Sequence, residues 1–306
     1  MCRMKILVTG GAGYKGVMLV KQLLKAGHEV CVVDNFMFGC ESVLHMVSES
    51  NLSIVKRDAR SLTEKDISPF DVVYHLAGIS GVPACAADPH AAESINVGAT
   101  RLLVRGMARQ QLLVYASTTS FYGASGVAFD ETMPVDPISL YGQTKYEAEK
   151  IVQDRENSVS LRFATVFGVS PKMRNDLLVN EFVSKALKEH AIILFGGISK
   201  RTFVHIQDAV SAYCFVLDNI DRMRGQVFNV GSGDMNFSKQ EIADAIKKVV
   251  PCEIVNSTLP SNDKRNFMVS FKKIEALGFR TRLTLEDGIN ELVKLYKFYG
   301  GGGFVV

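Results

Sequence analysis

The chain is predicted to be α/β, a doubly wound parallel sheet followed by a smaller C-terminal lobe. Six short apolar runs precede residue 165, at Lys5 to Val8, Val30 to Val33, Ser53 to Val55, Val72 to Leu76, Leu112 to Tyr115 and Ser160 to Phe163. Helix-period segments lie between most of them, Val17 to Lys25 and Asn96 to Gln110 among them. Strand, helix and strand in repetition give a parallel sheet covered on both faces. Beyond Gly168 the texture changes to loops and apolar helices at Leu177 to Lys188, Ser238 to Val250 and Leu285 to Tyr299.

The first strand runs into Thr9-Gly10-Gly11-Ala12-Gly13-Tyr14-Lys15-Gly16 and then directly into a helix. Glycines there permit a tight turn, bring backbone N–H groups close to an anion and let the helix pack on the strand. The helix N-terminus faces the negative charge. In this strand-to-helix context the pattern predicts a dinucleotide site and a Rossmann-type sheet. Lys15 stands where an apolar side chain is usual and is expected to point to solvent, the other reading being a contact with the pyrophosphate. The second strand ends at Asp34, where a carboxylate accepts a hydrogen bond from the ribose 2′-hydroxyl of NAD and repels the 2′-phosphate of NADP. No arginine follows it in Asn35-Phe36-Met37-Phe38. NAD is the expected cofactor.

Ligands of such sheets bind beyond the carboxyl ends of the strands, where Gly10, Asp34, Asp58, Leu76-Ala77-Gly78 and Thr118 converge. The expected division is residues 1–165 for the NAD-binding domain and 166–306 mainly for a substrate-binding lobe. Residues 203–217 return to the first domain in this reading, and a mobile glycine-rich tail occupies 300–306. Over 306 residues the formal charge is +3 with acids and bases interspersed, so no basic stripe suggests nucleic acid. Six cysteines without C-x-x-C or Cys/His spacing indicate neither zinc nor a disulfide framework. No apolar run reaches the length of a membrane span. A cytoplasmic protein is expected, with no membrane or metal partner.

Tyr141-Gly142-Gln143-Thr144-Lys145 opens a helix and places a phenol and an ammonium one turn apart on one face. A neighbouring cation favours the phenolate, which brings tyrosine toward use as a base. Upstream, Tyr115-Ala116-Ser117-Thr118-Thr119-Ser120-Phe121-Tyr122-Gly123 ends a strand at the same sheet edge and supplies a hydroxyl.

With the glycine loop and Asp34, this combination resembles the extended short-chain dehydrogenase/reductase family, the NAD-dependent nucleotide-sugar epimerases and dehydratases. The resemblance covers nearly the whole chain and continues in His75-Leu76-Ala77-Gly78, Asn96-Val97-Gly98-Ala99-Thr100, Leu161-Arg162-Phe163-Ala164-Thr165-Val166-Phe167-Gly168 and Arg201-Thr202-Phe203-Val204-His205-Ile206-Gln207-Asp208. It implies Tyr141 as general base and Lys145 as the residue that lowers its pKa and holds the nicotinamide ribose. Thr118 is then the hydroxyl on the reacting oxygen, with Ser117 as the neighbouring candidate. Asp58 with Ala59 matches the adenine contact, and Leu76 to Gly78 the wall beside the pyrophosphate and ribose. Asn35, Asn96, Tyr14 and Phe163 join the cofactor set. Arg201 matches the residue that holds the sugar diphosphate, and Thr165, Arg174, Asn180 and Arg265 fall on the substrate side. His205 reads as structural, near a helix start.

Thr119 and Ser120 stand where the 4,6-dehydratases carry an Asp-Glu pair and the decarboxylating members a glutamate, so dehydration and decarboxylation lose support. Thr165 replaces the asparagine of galactose-type epimerases. The segments around Thr165, Arg174 and Arg265 look closest to a branch that includes GDP-heptose 4-dehydrogenases. The expected activity is 4-epimerisation, with C4 oxidation or reduction of a nucleotide sugar as the alternative and a non-catalytic NAD-binding regulator as the reading from another class. The resemblance also implies a homodimer built on Asn96 to Gln110 and Tyr141 to Glu156, with Ala148, Ile151 and Val152 on the apolar face.

Overall fold

The computed structural model describes residues 3–259 and 266–299. The strands are β1 (Lys5–Thr9), β2 (Glu29–Asp34), β3 (Leu52–Lys56), β4 (Val72–His75), β5 (Leu112–Thr118), β6 (Ala124–Phe129) and β7 (Ser158–Phe163). They continue with β8 (Thr165–Phe167), β9 (Ala191–Leu194), β10 (Lys200–His205), β11 (Gln226–Val230), β12 (Asn236–Ser238), β13 (Glu253–Asn256) and β14 (Asn266–Val269). Seven of them form one sheet in the order β11-β7-β5-β4-β1-β2-β3, every neighbour parallel. The order reverses between β1 and β4, which opens a crevice above their carboxyl ends. Interior strands such as β4 and β5 are buried at every residue, as a sheet covered on both faces requires.

Helices α1 (Gly16–Lys25), α2 (Glu64–Ile67), α3 (Val82–Ala87), α4 (Pro89–Glu93), α5 (Ala99–Gly106) and α6 (Leu140–Gln153) follow the early strands. Leu19, Val20 and Leu23 of α1 pack with Ile6 and Val8 on one face. On the other face Ala148 and Val152 of α6 pack against Leu113 and Tyr115. These two α6 residues therefore belong to the core of the protomer and not to a surface offered to a second copy.

The predicted helix Asn96 to Gln110 is differently divided. Helicity starts at Pro89, passes through a π-helical turn at Ser94–Gly98 and ends at Gly106. The wide turn lets the buried Asn96 face the α6 side.

The later helices are α7 (Leu178–Lys188), α8 (Ile206–Asp218), α9 (Ile220–Met223), α10 (Lys239–Lys247), α11 (Lys272–Ala276) and α12 (Leu285–Phe298). A second core gathers Val179, Phe182 and Val183 of α7 with Ile242 and Ile246 of α10 and Ile289 and Leu292 of α12. Helix α8 and strand β11 instead contribute Tyr213, Val216, Phe228 and Val230 to the core of the large sheet. The three-stranded sheet β12-β10-β8 lies outside the seven-stranded one.

Candidate active site

Gly10 holds φ at 73°, and a Cβ there would come within 2.6 Å of the Ala77 nitrogen. The turn is thus closed against the β4 loop in a way only glycine permits. Gly10 N–H donates to Val33 O at 2.8 Å and Gly13 N–H to Gly10 O at 3.1 Å. Gly16 packs so tightly that a Cβ would sit on the Gly10 carbonyl. Asp34, at the end of β2, accepts from Ala12 N–H at 3.1 Å and from Phe36 N–H at 2.9 Å. A carboxylate offers about four lone-pair directions, so two remain for a diol. The loop, the helix start and this fixed acceptor suit a dinucleotide.

The wall at Leu76 to Gly78 is set by a buried relay. Thr100 donates its hydroxyl to Asn96 O at 2.7 Å, so it accepts from His75 Nε2 at 3.0 Å. His75 Nδ1 then accepts from Thr9 Oγ1 at 2.7 Å, and Ala77 N–H donates to that same oxygen at 3.4 Å. Burial, with Lys145 nearby, drives the His75 pKa down to about 3, so the ring stays neutral. Asn96 clamps the next residue by accepting from Ile79 N–H at 2.8 Å and donating to Ile79 O at 3.1 Å. It also donates to Thr144 of α6 at 3.1 Å, so its amide shapes the wall from behind.

Asp58 caps the turn Ala59–Ser61 and pairs with Arg60 at 2.7 Å, which holds its carboxyl below the usual range. Arg60 was not anticipated. Asn35 accepts from Met37 N–H at 3.0 Å on the exposed rim. Tyr14 is buried and donates to Gly168 O at 2.7 Å, which joins the glycine loop to the second lobe.

Ser139 caps α6 by accepting from Gly142 N–H at 3.2 Å, which fixes where Tyr141 and Lys145 begin the helix. The Lys145 ammonium lies 4.1 Å from the centre of the Tyr115 ring. Burial lowers its pKa to about 7, and Glu149 one turn further on works in the opposite direction. Thr118 is the last residue of β5, pairs with Phe163 across the ladder and accepts from Ser120 N–H at 3.0 Å. Ser117, on the other face of that strand, is buried and its hydroxyl has no hydrogen-bond partner among the described residues. Thr119 is 2 % exposed and donates to Phe163 O at 3.2 Å.

Lys15 does not point to solvent. Its ammonium lies 3.9 Å from the centre of the Phe163 ring, drawn to the π face of a side chain on a distant strand.

Arg174, expected to face the substrate, pairs with Asp176 through two contacts of 2.6 Å and reaches Ser80 O at 3.4 Å. Asn180 is fully buried, accepts from Gly168 N–H at 3.0 Å and donates to Arg174 O at 3.0 Å, so it braces the Arg174 loop. Thr165 on β8 pairs with Phe203 of β10, and Arg201 lies two residues upstream on the same strand, 5 % exposed. Arg265 lies outside the described residues. His205 caps α8 through Gln207 N–H and contacts Glu291 at 3.1 Å, a structural placement.

Sequence reasoning missed a buried ion pair behind the site. Arg162 of β7 meets Glu149 of α6 through contacts of 3.1, 3.1 and 2.6 Å. Arg162 also donates to Tyr122 Oη at 2.7 Å, and Tyr122 donates to Asn229 Oδ1 at 2.7 Å. A charged residue inside Leu161-Arg162-Phe163 and an acid one turn past Lys145 were the available signals.

Residues 6–231 match the model of the NAD dependent epimerase/dehydratase family. The chain is 31% identical over 327 residues to an uncharacterized UDP-glucose epimerase of Bacillus subtilis, covering 97% of this chain and 100% of the relative. It is 28% identical to UDP-glucuronic acid decarboxylase 1 of Arabidopsis thaliana, covering 96% of this chain and 70% of that one. Among solved structures, UDP-glucuronic acid 4-epimerase from Bacillus cereus, in complex with UDP-glucuronic acid and NAD, superposes with a TM-score of 0.88 at 26% identity, covering 96% of this chain and 99% of that one. The crevice, the glycine loop and these matches lead to one conclusion: the chain belongs to the NAD dependent epimerase/dehydratase family and is an enzyme with NAD as its cofactor.

Proposed function

We propose that the protein is a nucleotide-sugar 4-epimerase acting by transient oxidation at C4. The observation that carries this reading is the pairing of Tyr141 and Lys145 at the start of α6 with Thr118 at the end of β5, while the next position offers no acid or base. Thr119 has its hydroxyl committed to the Phe163 carbonyl, and Ser120 carries no carboxylate. Tyr141 takes the proton of the C4 hydroxyl, Thr118 holds the reacting oxygen and Lys145 stabilises the phenolate. Held by the glycine loop, Asp34 and Lys145, NAD would supply the hydride acceptor and donor for C4. Arg174 and Arg201 serve the diphosphate, whose oxygens suit guanidinium forks. Incubation with a panel of UDP-, GDP-, CDP- and dTDP-sugars, read by NMR, tests the proposal. A C4 epimer from any of them supports it, and water or carbon dioxide lost from the accepted sugar contradicts it.

Asp34 carries the cofactor choice in this reading. Asp34→Ala removes a charged hydrogen-bond acceptor of about 1.5–3 kcal/mol, so the preference for NAD over NADP is expected to shrink by on the order of tenfold. Fluorescence titration of both cofactors checks it, and an unchanged preference would remove Asp34 from the role.

The homodimer proposal moves to the outer side of α5 and α6. Leu102 is 44% exposed, Ile151 is half-buried, and Arg101 and Glu147 bridge the two helices at 3.2 Å. Light scattering is expected to give twice the mass of one chain, and Leu102→Asp to lower it. A monomer at micromolar concentration would contradict this surface.

A further inference from the structure

Lys15 is the N-cap residue of α1, yet its side chain turns inward from the glycine loop. Its ammonium is 3.9 Å from the Phe163 ring centre on β7 and 5.7 Å from that of Tyr213 on α8. Two cations face it, Lys145 from α6 and Arg174 from the loop after β8. The Tyr213 phenol is a further titratable group beside it. Burial first, and the two cations second, lower the Lys15 pKa to about 7. Phe163 ends β7 and pairs with Thr118, the last residue of β5, at the strand edge where the proposed function seats the nicotinamide beside Tyr141. The oxidised ring carries a positive charge and the reduced ring does not. Like charges a few ångströms apart repel far more strongly in an enclosed site than in water.

We propose that Lys15 sets the redox-state preference of the bound cofactor, its ammonium disfavouring the positively charged oxidised ring relative to the neutral reduced one. The proposal rests on the assignment of this crevice to NAD. Its consequence is that NADH is held firmly during the interval in which the sugar is a ketone, before the hydride returns.

Equilibrium binding of NAD+ and NADH to cofactor-stripped protein, by calorimetry across a pH range centred on the Lys15 value, tests it. The unmodified protein is expected to bind NADH more tightly than NAD+ by about tenfold on the acid side, the effect of one pKa unit of differential interaction. That ratio is expected to fall as pH rises and the ammonium is lost. Lys145 titrates in the same range, so the variants make the assignment. Lys15→Met should lose the Lys15 share of the preference at every pH, and Lys15→Arg should keep that share on the alkaline side, where the unmodified protein loses it. A Lys15→Met protein with the unmodified ratio and pH profile would overturn the proposal, as would an unmodified protein that favours NAD+ on the acid side. Failure of the unmodified protein to bind either nucleotide would instead overturn the NAD assignment of the crevice.

Discussion

Tyr141→Phe is expected to lower turnover of the accepted nucleotide sugar by roughly 10²–10⁴-fold, the usual range for loss of a positioned acid–base group. Binding of NAD should be unchanged, because the ring remains and only the hydroxyl is lost. Lys145→Ala should differ by impairing both. Its ammonium is enclosed against Tyr115 and has a pKa lowered to about 7, so part of the population is neutral at neutral pH. Acceptor groups that approach it, such as ribose hydroxyls, would favour its charged form. Single-turnover rates and cofactor titrations on the two variants separate the roles. Most of the activity surviving in Tyr141→Phe would remove this residue from the reaction.

The second large effect is on stability. Glu149→Ala leaves Arg162 buried with the Tyr122 hydroxyl as its remaining polar neighbour in the network, and breaking a buried pair from one side costs about 3–5 kcal/mol. The midpoint of urea unfolding should fall accordingly with an unchanged slope. Adding Arg162→Met should recover much of the loss, because the unpaired charge is gone. The same pair anchors α6 to β7 one turn beyond Lys145, and Glu149 works to raise the Lys145 pKa. A Glu149→Ala protein as stable as the parent would show that the pair does not hold this helix.

The parallel sheet was legible because each strand is an apolar run long enough to show against its flanks. Thus Val72 to Leu76 and Leu112 to Tyr115 were placed within a few residues of β4 and β5. Three-residue strands such as β8 and β12 give no such run, and their existence depends on β10 lying between them. The boundaries of the 89–106 helical segment were missed for a related reason. A π-helical turn shifts the apolar period, so the pattern from Asn96 onward does not carry back to Pro89. Tyr141 and Lys145, proposed above as the acid–base pair, stand four residues apart in the sequence and open α6 as that spacing suggests, while their role comes from the family resemblance. The course of Lys15 was not legible, because what turns it inward is Phe163, close in space but on the far side of the sequence. The same holds for Ala148 and Val152. An apolar stripe on a helix shows that something covers it, and the cover is Tyr115 and Leu113 of the same chain.

Transfer of hydrogen at C4 tests the central claim most directly. The accepted nucleotide sugar, carrying deuterium at C4, is incubated with the NAD-loaded enzyme and followed by mass spectrometry and absorbance at the reduced-nicotinamide band. A 4-epimerase gives a C4 epimer that retains the deuterium, with no net build-up of reduced cofactor. Stoichiometric NADH with an accumulating 4-keto sugar, or an epimer that has exchanged its C4 deuterium for solvent hydrogen, would contradict the claim.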